Sequence, residues 1–453
     1  MLLTRDKRFY RTFVSLFFPL VLQDVINLSV NLADNIMLGH YTNPAALSGA
    51  TEVNHIQFLL QCLVGGLGSG ITVLGSQYWG QRRTDPIKRL VAFAFAAGVG
   101  LALILLAACS LFPHQILTIF NREPDIIREG VTYLSVIKYS YVVFAVTTVL
   151  VSALNCVETV KVSFFVSVET LIVNIGLNAV LIPRSGSWGA AMATLISRLG
   201  ALALVVLYVA FFDKKLRLRL TDLFRYDKTL SWDFVRVSAP MVAVSGLWGC
   251  SNALQTVILG NMLPVAVAAS SASFTLYSLF KAASQSACNA SGIMMAKTVG
   301  AGDFGRVKEY TRTFQVLFIV IGVLSACLLY LAKGPVYSYY KLPQETMDLA
   351  NQFILVMCVC TVGMGYQMPT ISGIIRGGGD TRFCLINDLI SIWCIVLPVS
   401  ALAAFVWKWP PVAVVACLNS DQVFKCGAAA VRCNRYHWVK RLTRDEDGVS
   451  QAA

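Results

Sequence analysis

Hydrophobic residues come in long runs, near residues 14–38, 53–79, 90–112, 131–153, 162–183, 188–212, 236–260, 265–296, 313–333, 346–375, 383–407 and 411–431. A run of about 20 apolar residues, wound as a helix, crosses a hydrocarbon core about 30 Å thick. The pattern therefore predicts an all-α integral membrane protein of twelve transmembrane helices. Polar residues gather in the gaps, which are short except for residues 213–235. That stretch, FDKKLRLRLTDLFRYDKTLSWDF, is basic and amphipathic and reads as a cytoplasmic linker lying on the membrane surface. It divides the chain into an N-lobe (1–212), the linker (213–235), a C-lobe (236–431) and a cytoplasmic tail (432–453).

Composition agrees with the pattern. Of the 453 residues 56% are hydrophobic and 13% charged, against about 25% charged in an ordinary soluble protein. A net charge of +13 raises the question of nucleic acid, and its distribution answers it. Numbering the gaps alternately, twenty-seven Lys and Arg fall on the side that holds the N-terminus, the linker and the tail. Only six, Arg122, Arg128, Arg184, Lys333, Lys341 and Lys408, fall on the other. Positive residues stay on the cytoplasmic side, so both termini are expected there, and the basic excess is a topology signal with no nucleic-acid partner. The basic N-terminus followed by an apolar run has the outline of a signal peptide, but the run is too long and lacks a small-residue cleavage site. It is read as the first span. Thirteen cysteines without paired spacing argue against a disulfide framework, and the four histidines make no metal pattern.

The two halves repeat. PLVLQDVINLSVNLADNIMLG from Pro19 to Gly39 faces PMVAVSGLWGCSNALQTVILG from Pro240 to Gly260 at an offset of 221. Gly80 falls near Gly300 after the second helix of each half, and NCVETVKV faces RGGGDTRF, which sets Glu158 opposite Asp380. Six spans per half is an even number, so the two six-helix bundles are expected to share an orientation. They would be related by a pseudo-twofold axis along the membrane normal, with a substrate path between them.

Carboxylates inside a span cost about 2.5–3.5 kcal/mol on insertion scales and are functional candidates by default. Asp34 is the strongest. It shares a helical face with Asn27 and Asn31, so that face points at protein or water. Asn174 and Asn178 share a face of the fifth span, and Thr194 lies in the sixth. Adding the offset to Asp34 gives Gln255, so the second half lacks the matching acid. Asp388 is a second acidic candidate there, whereas Asp380 and Glu158 read mainly as turn residues. Met241, Trp248, Phe274 and Tyr277 can line a cavity for flat cations through cation–π contact. Partners for Lys138, Glu169, Arg198, Lys281 and Lys425 are not legible. The cluster Gly65-Gly66-Leu67-Gly68-Ser69-Gly70 lacks the Lys-Ser/Thr ending of a phosphate loop and reads as close helix packing. No nucleotide-binding motif is present.

Several motifs, in this order and spacing, resemble the multidrug and toxic compound extrusion (MATE) family of secondary transporters. They are P-x₁₄-D-N-I-M-L-G in the first span, G-S-Q-Y-W-G-Q after the second, V-N-I-G-L-N-A-V-L-I in the fifth, and W-G-A-A-M-A-T in the sixth. A-K-T-V-G-A-G-D-F follows the eighth, and R-G-G-G-D-T-R follows the tenth. The resemblance implies two bundles around a V-shaped cavity in a multi-pass plasma (inner) membrane protein. It implies export of organic, cationic or amphiphilic compounds in exchange for H⁺ or Na⁺ by alternating access. It also implies an N-lobe cation site made of Asp34, Asn174, Asn178 and Thr194, with Na⁺ as one candidate occupant. Many relatives carry an aspartate where this chain has Asn178, leaving a single carboxylate supported by amide and hydroxyl oxygens. Such oxygens ligate Na⁺, and a lone carboxylate away from water can also carry a proton. A C-lobe polar site would have to come from Gln255, Asp380 and Asp388. Some relatives place a glutamate at the position of Trp248.

No cofactor beyond the coupling ion is expected. The expected partners are small organic substrates and the lipid bilayer, with the protein a monomer. The rival readings are a flippase for lipid-linked oligosaccharides, which would want several basic residues in its cavity, and a membrane-embedded enzyme or channel. An enzyme would need a clustered nucleophile, metal or acid–base set that the sequence does not contain.

Overall fold

The computed structural model describes residues 3–261, 264–340 and 343–444. Lys341, counted in the topology argument, and the tail beyond Arg444 lie outside the described residues. Eight helices are long and apolar enough by themselves to cross a membrane, and the pair Pro124–Ile137 and Ser140–Cys156, bent by 51°, makes a ninth. One of the eight, Lys161–Phe211, has 51 residues, far more than one crossing needs. It is two spans. At Gly186 the backbone turns left-handed, with φ 55° and ψ −132°, a conformation that a residue without Cβ adopts cheaply. The chain reverses there, so Asn174 meets Thr194 across the hairpin and Glu169 packs on Gly200.

Pro264–Gly300 and the two-part helix Pro411–Leu418 with Asp421–Asn434 complete the twelve. Both escape a hydropathy criterion because serine or charge interrupts them. The remaining spans are Lys7–Tyr41, Pro44–Gly80, Asp85–Leu111, Lys228–Gly260, Phe304–Tyr340, Thr346–Ile375 and Thr381–Val406. Proline opens many of these helices, where its missing N–H is no loss. At Pro44 the preceding Asn43 accepts a hydrogen bond from the Ala46 N–H at 2.7 Å.

Packing sorts the chain into two units. One is Met1–Val21 with Leu247–Ala453, and the other is Leu22–Gly246. Each boundary falls within a span just after an internal proline, Pro19 in the first and Pro240 in the seventh. Proline removes one backbone donor from the helix ladder there. The linker 213–235 therefore packs inside the second unit, and the start of the seventh span goes with it.

The linker is not a continuous amphipathic helix. It contains one 3₁₀ turn, Leu220–Phe224, and buries Leu216, Leu218 and Leu223. The Lys215 Nζ donates to the carbonyls of Val157 and Glu158 at 2.6 and 2.9 Å, and Lys88 pairs with Asp222 at 3.1 Å. Burial opposes ionisation of Asp222. The Arg219 N–H and the Lys88 ammonium outweigh it and hold the carboxyl below its ordinary value of 3.8. A lowered pKa contributes stability that is present above the ordinary value and lost as pH falls through the lowered one. The protection of the linker amides from hydrogen exchange, relative to their intrinsic rate at each pH, should hold across neutral and mildly acidic pH and fall only below about 3.8. Loosening already at neutral pH would contradict this docking.

The backbone carries the repeat more sharply than the side chains. Glu158 (φ 59°) and Gly379 (φ 106°) are the left-handed residues that close the turns after the fourth and tenth spans. Their N–H groups bond the carbonyls of Asn155 and Arg376, three residues back in each case. Glu158 is thus the counterpart of Gly379, and Asp380 that of Thr159. This corrects the expected pairing of Glu158 with Asp380, because the left-handed position sets the register.

The glycine cluster of the second span packs as expected. A Cβ on Gly66 would lie 2.6 Å from Val242 Cα, and one on Gly70 would lie 2.7 Å from Ser238 Cβ, while Gly65 faces open space. Glycines four residues apart thus let the second span approach the start of the seventh. Gly66→Leu should destabilise the detergent-solubilised protein by about 1–3 kcal/mol, read as a lowered melting temperature. Gly65→Ala should leave it unchanged.

Candidate functional site

Asp34 lies on the first span, Asn174 and Asn178 one turn apart on the fifth, and Thr194 on the sixth. The reversal at Gly186 brings the last two elements together, and the unit Leu22–Gly246 contains all four residues. The Asn178 Nδ2 donates to Asp34 Oδ1 at 2.5 Å and to Asn174 Oδ1 at 3.0 Å. The Asn174 Nδ2 reaches Thr194 Oγ1 at 3.5 Å, and Thr194 donates to the Ala190 carbonyl at 3.1 Å. Both asparagines are fully buried, and Asp34 is partly so. The four residues singled out in the sequence therefore form one connected polar chain.

Two further residues join it. Tyr133, buried on the fourth span, stands beside Thr194. Arg198 is in electrostatic reach of Asp34 but holds the Ser140 hydroxyl at 2.8 Å and lies over the Phe144 ring, 5.4 Å from its centroid. Arg198 follows Thr194 by four residues and so shares its helical face, a legible signal. Tyr133, on the bent fourth span, had none. Of the other polar residues on the face of Asp34, Asn27 accepts from the Ser167 hydroxyl at 3.0 Å.

The donor set is one carboxylate plus neutral oxygens. The Asn178 Oδ1 is buried without a hydrogen-bond partner among the described residues, an acceptor that calls for a proton or cation. Among those residues no three His, Cys, Asp or Glu cluster as a metal site would require. Such a set suits a monovalent hard cation or a proton better than a divalent or transition metal.

In the unit with Leu247–Ala453 the candidate residues do not assemble. Gln255 donates to Ser251 on its own helix at 3.2 Å. Asp380 is buried and clamps the tail, pairing with Arg432 and with Lys440 at 3.0 Å. Asp388 pairs with Lys425 at 2.8 Å, and Lys425 also meets Asp421 at 3.1 Å. No hydrogen bond or ion pair joins Gln255, Asp380 and Asp388 to one another among the described residues. Of the aromatic candidates, Trp248 is half-exposed, and Tyr277 is buried with its hydroxyl on Met364 Sδ at 3.4 Å. Phe274 meets Tyr277 edge to face. Met241 is buried and belongs to the other unit.

The chain is similar to known proteins over most of its length. The chain is 25% identical over 402 residues to the probable multidrug resistance protein YoeA of Bacillus subtilis, covering 84% of each chain. It is 22% identical to the probable multidrug resistance protein NorM of Bacillus cereus, covering 88% of this chain and 89% of the relative. Among solved structures, the Vibrio cholerae MATE transporter VcmN in its bent form superposes with a TM-score of 0.83 at 17% identity, over 94% and 97% of the two chains. The eukaryotic MATE transporter AtDTX14 gives 0.83 at 17% identity, over 96% and 97%. The MatE family model matches residues 19–180 and again 240–402, the two stretches starting at the offset of the internal repeat. These matches span most of both halves, and the chain belongs to the MatE family, the multidrug and toxic compound extrusion transporters, with twelve helices in two six-helix bundles.

Proposed function

We propose that this protein is an antiporter. It exports organic, cationic or amphiphilic compounds in exchange for H⁺ or Na⁺ by alternating access, from a plasma membrane with both termini in the cytoplasm. Asp34 is its coupling group. One observation carries the assignment: a carboxylate inside a span has an amide partner and, among the described residues, no ion-pair contact. A carboxylate there is neutralised by a permanent partner or by a transient one. Arg198 stands near enough to bias Asp34 but is engaged by Ser140 and Phe144, so the direct partner is left to be a mobile ion.

The Asn178 amide suits that exchange. Turned as it stands, it donates to the charged carboxylate; turned by half a rotation about its last torsion, it offers oxygen to a cation or to a protonated Asp34. Asn174 accepts from that amide and donates in turn to Thr194, which ties it to the sixth span.

The names of the relatives, probable multidrug resistance proteins, support small organic molecules as substrates. The test is dye export from vesicles holding the purified protein, with an imposed Na⁺ or H⁺ gradient. Export that follows one gradient identifies the coupling ion. Export indifferent to both would remove the antiport reading.

A further inference from the structure

Lys281 is a cation on the eighth span that the coupling site does not use. It is partly buried. Among the described residues no carboxylate lies within 4.0 Å of its ammonium, and it makes no hydrogen bond there. Its nearest assigned contact is the ring of Trp248 on the seventh span, with Nζ 4.8 Å from the centroid. Asp421 acts on it only at longer range, because its Oδ2 is already shared by Lys425 at 3.1 Å and the Gln422 Nε2 at 2.9 Å. Asp388 and Asp421 thus spend their contacts on Lys425 and leave Lys281 without an ion-pair contact among the described residues. Charges inside spans face the bundle interior or a water-filled path.

The surroundings are aromatic. Tyr277 and Phe274 stand four and seven residues before Lys281 on the same helix, and their rings lie 6.3 Å apart, edge to face. Trp248 keeps 41% of its surface accessible. With an ammonium already on its ring, this indole cannot accept a flat cation on that face without like-charge repulsion. The sequence suggested cation–π capture of a flat cation here, and the chain's own ammonium lies on that ring.

We infer that Lys281 and Trp248 form a subsite for the carboxylate of an aromatic organic acid or zwitterion. The ammonium holds the carboxylate and the indole carries the ring system. The inference rests on the export reading and, among its amphiphilic substrates, selects those that carry a carboxylate. A single uncommitted ammonium matches one carboxylate; a pyrophosphate would need further cations, and Lys425 is engaged on both sides.

The test compares rhodamine B, which carries a free carboxylate, with its ethyl ester, which lacks it, in vesicles holding the full-length protein. The wild type should export the acid in preference to the ester. Lys281→Gln should lower acid export by about tenfold, the size expected for losing one charged hydrogen bond, and leave ester export unchanged. Lys281→Arg should keep the preference for the acid. Asp34→Asn should stop both dyes, which separates failure of the export reading from failure of the subsite. If the wild type moves neither dye, fluorescence anisotropy of each dye on the purified protein decides by the same comparison. Acid bound or moved no better than ester in the wild type, or an equal loss of both in Lys281→Gln, overturns the inference.

Discussion

Asp34→Asn should reduce dye efflux to the background of cells without the protein, while the amount in the membrane and the melting temperature stay near wild type. The substitution preserves size and polarity and removes only the charge. Its fold cost is small because Asp34 makes no ion-pair contact among the described residues: its partner is the Asn178 amide at 2.5 Å, which an asparagine can still meet with its own carbonyl oxygen. Its functional cost is large because the remaining groups of the site, Asn174, Asn178 and Thr194, are neutral. A site without charge has little hold on Na⁺ and nothing to protonate. Asn178→Ala should be milder, lowering coupled export by about 10–100-fold, as loss of a group that orients an ion ligand does. The measurement is dye efflux normalised to the membrane-resident protein. Wild-type efflux in Asp34→Asn would remove this residue from the mechanism.

Lys425→Met should be the most destabilising single change in the other unit, by about 3–5 kcal/mol, the range for breaking a buried ion pair from one side. The Lys425 side chain is 4% exposed and lies between Asp388 and Asp421, which are 23% and 7% exposed. Removing the ammonium leaves two carboxylates in a low-dielectric setting with no other cation in contact among the described residues. The loss should appear as a lower melting temperature in detergent. It should be largely reversed in the triple variant that adds Asp388→Asn and Asp421→Asn, since that removes the stranded charges together. A stable Lys425→Met protein would mean that water or another cation reaches the pair. The cluster also sits at two helix irregularities. The eleventh span widens into a π-helix at Leu389, directly after Asp388, and the twelfth restarts at Asp421 after the break at Asn419. Irregular backbone inside a membrane needs local polar partners, and the charged triad supplies side chains at both places.

Much of this was written in the chain. Hydrophobic period and length located the twelve spans, including the two that a strict hydropathy criterion passes over, because crossing a bilayer imposes a minimum length on any helix. The repeat offset was legible at Pro19 and Pro240 and recurs in the two stretches that the family model matches. Asp34 stood out because a carboxylate in a span is costly wherever it sits, and helical spacing put Asn174 and Asn178 on one face; grouping these with Thr194 came from the family resemblance.

The sequence by itself determined the membrane class, the spans, the duplication and the polar residues that must be satisfied. Only the tertiary structure decided how they are satisfied. Partner choice depends on which helices meet, and in this chain that follows from backbone devices: the reversal at Gly186, the prolines at 19 and 240, and the close approach at Gly66. None of these is encoded in the periodicity that reveals a helix. Lys425 therefore went to Asp388 and Asp421, Asp380 to the tail, and Lys281 to Trp248. The linker, read from its pattern as an amphipathic segment on the membrane surface, pairs Asp222 with Lys88 and buries Leu216, Leu218 and Leu223. Patterns of single residues fix what must be buried or paired, whereas the pairing itself is a property of contacts between spans far apart in the chain.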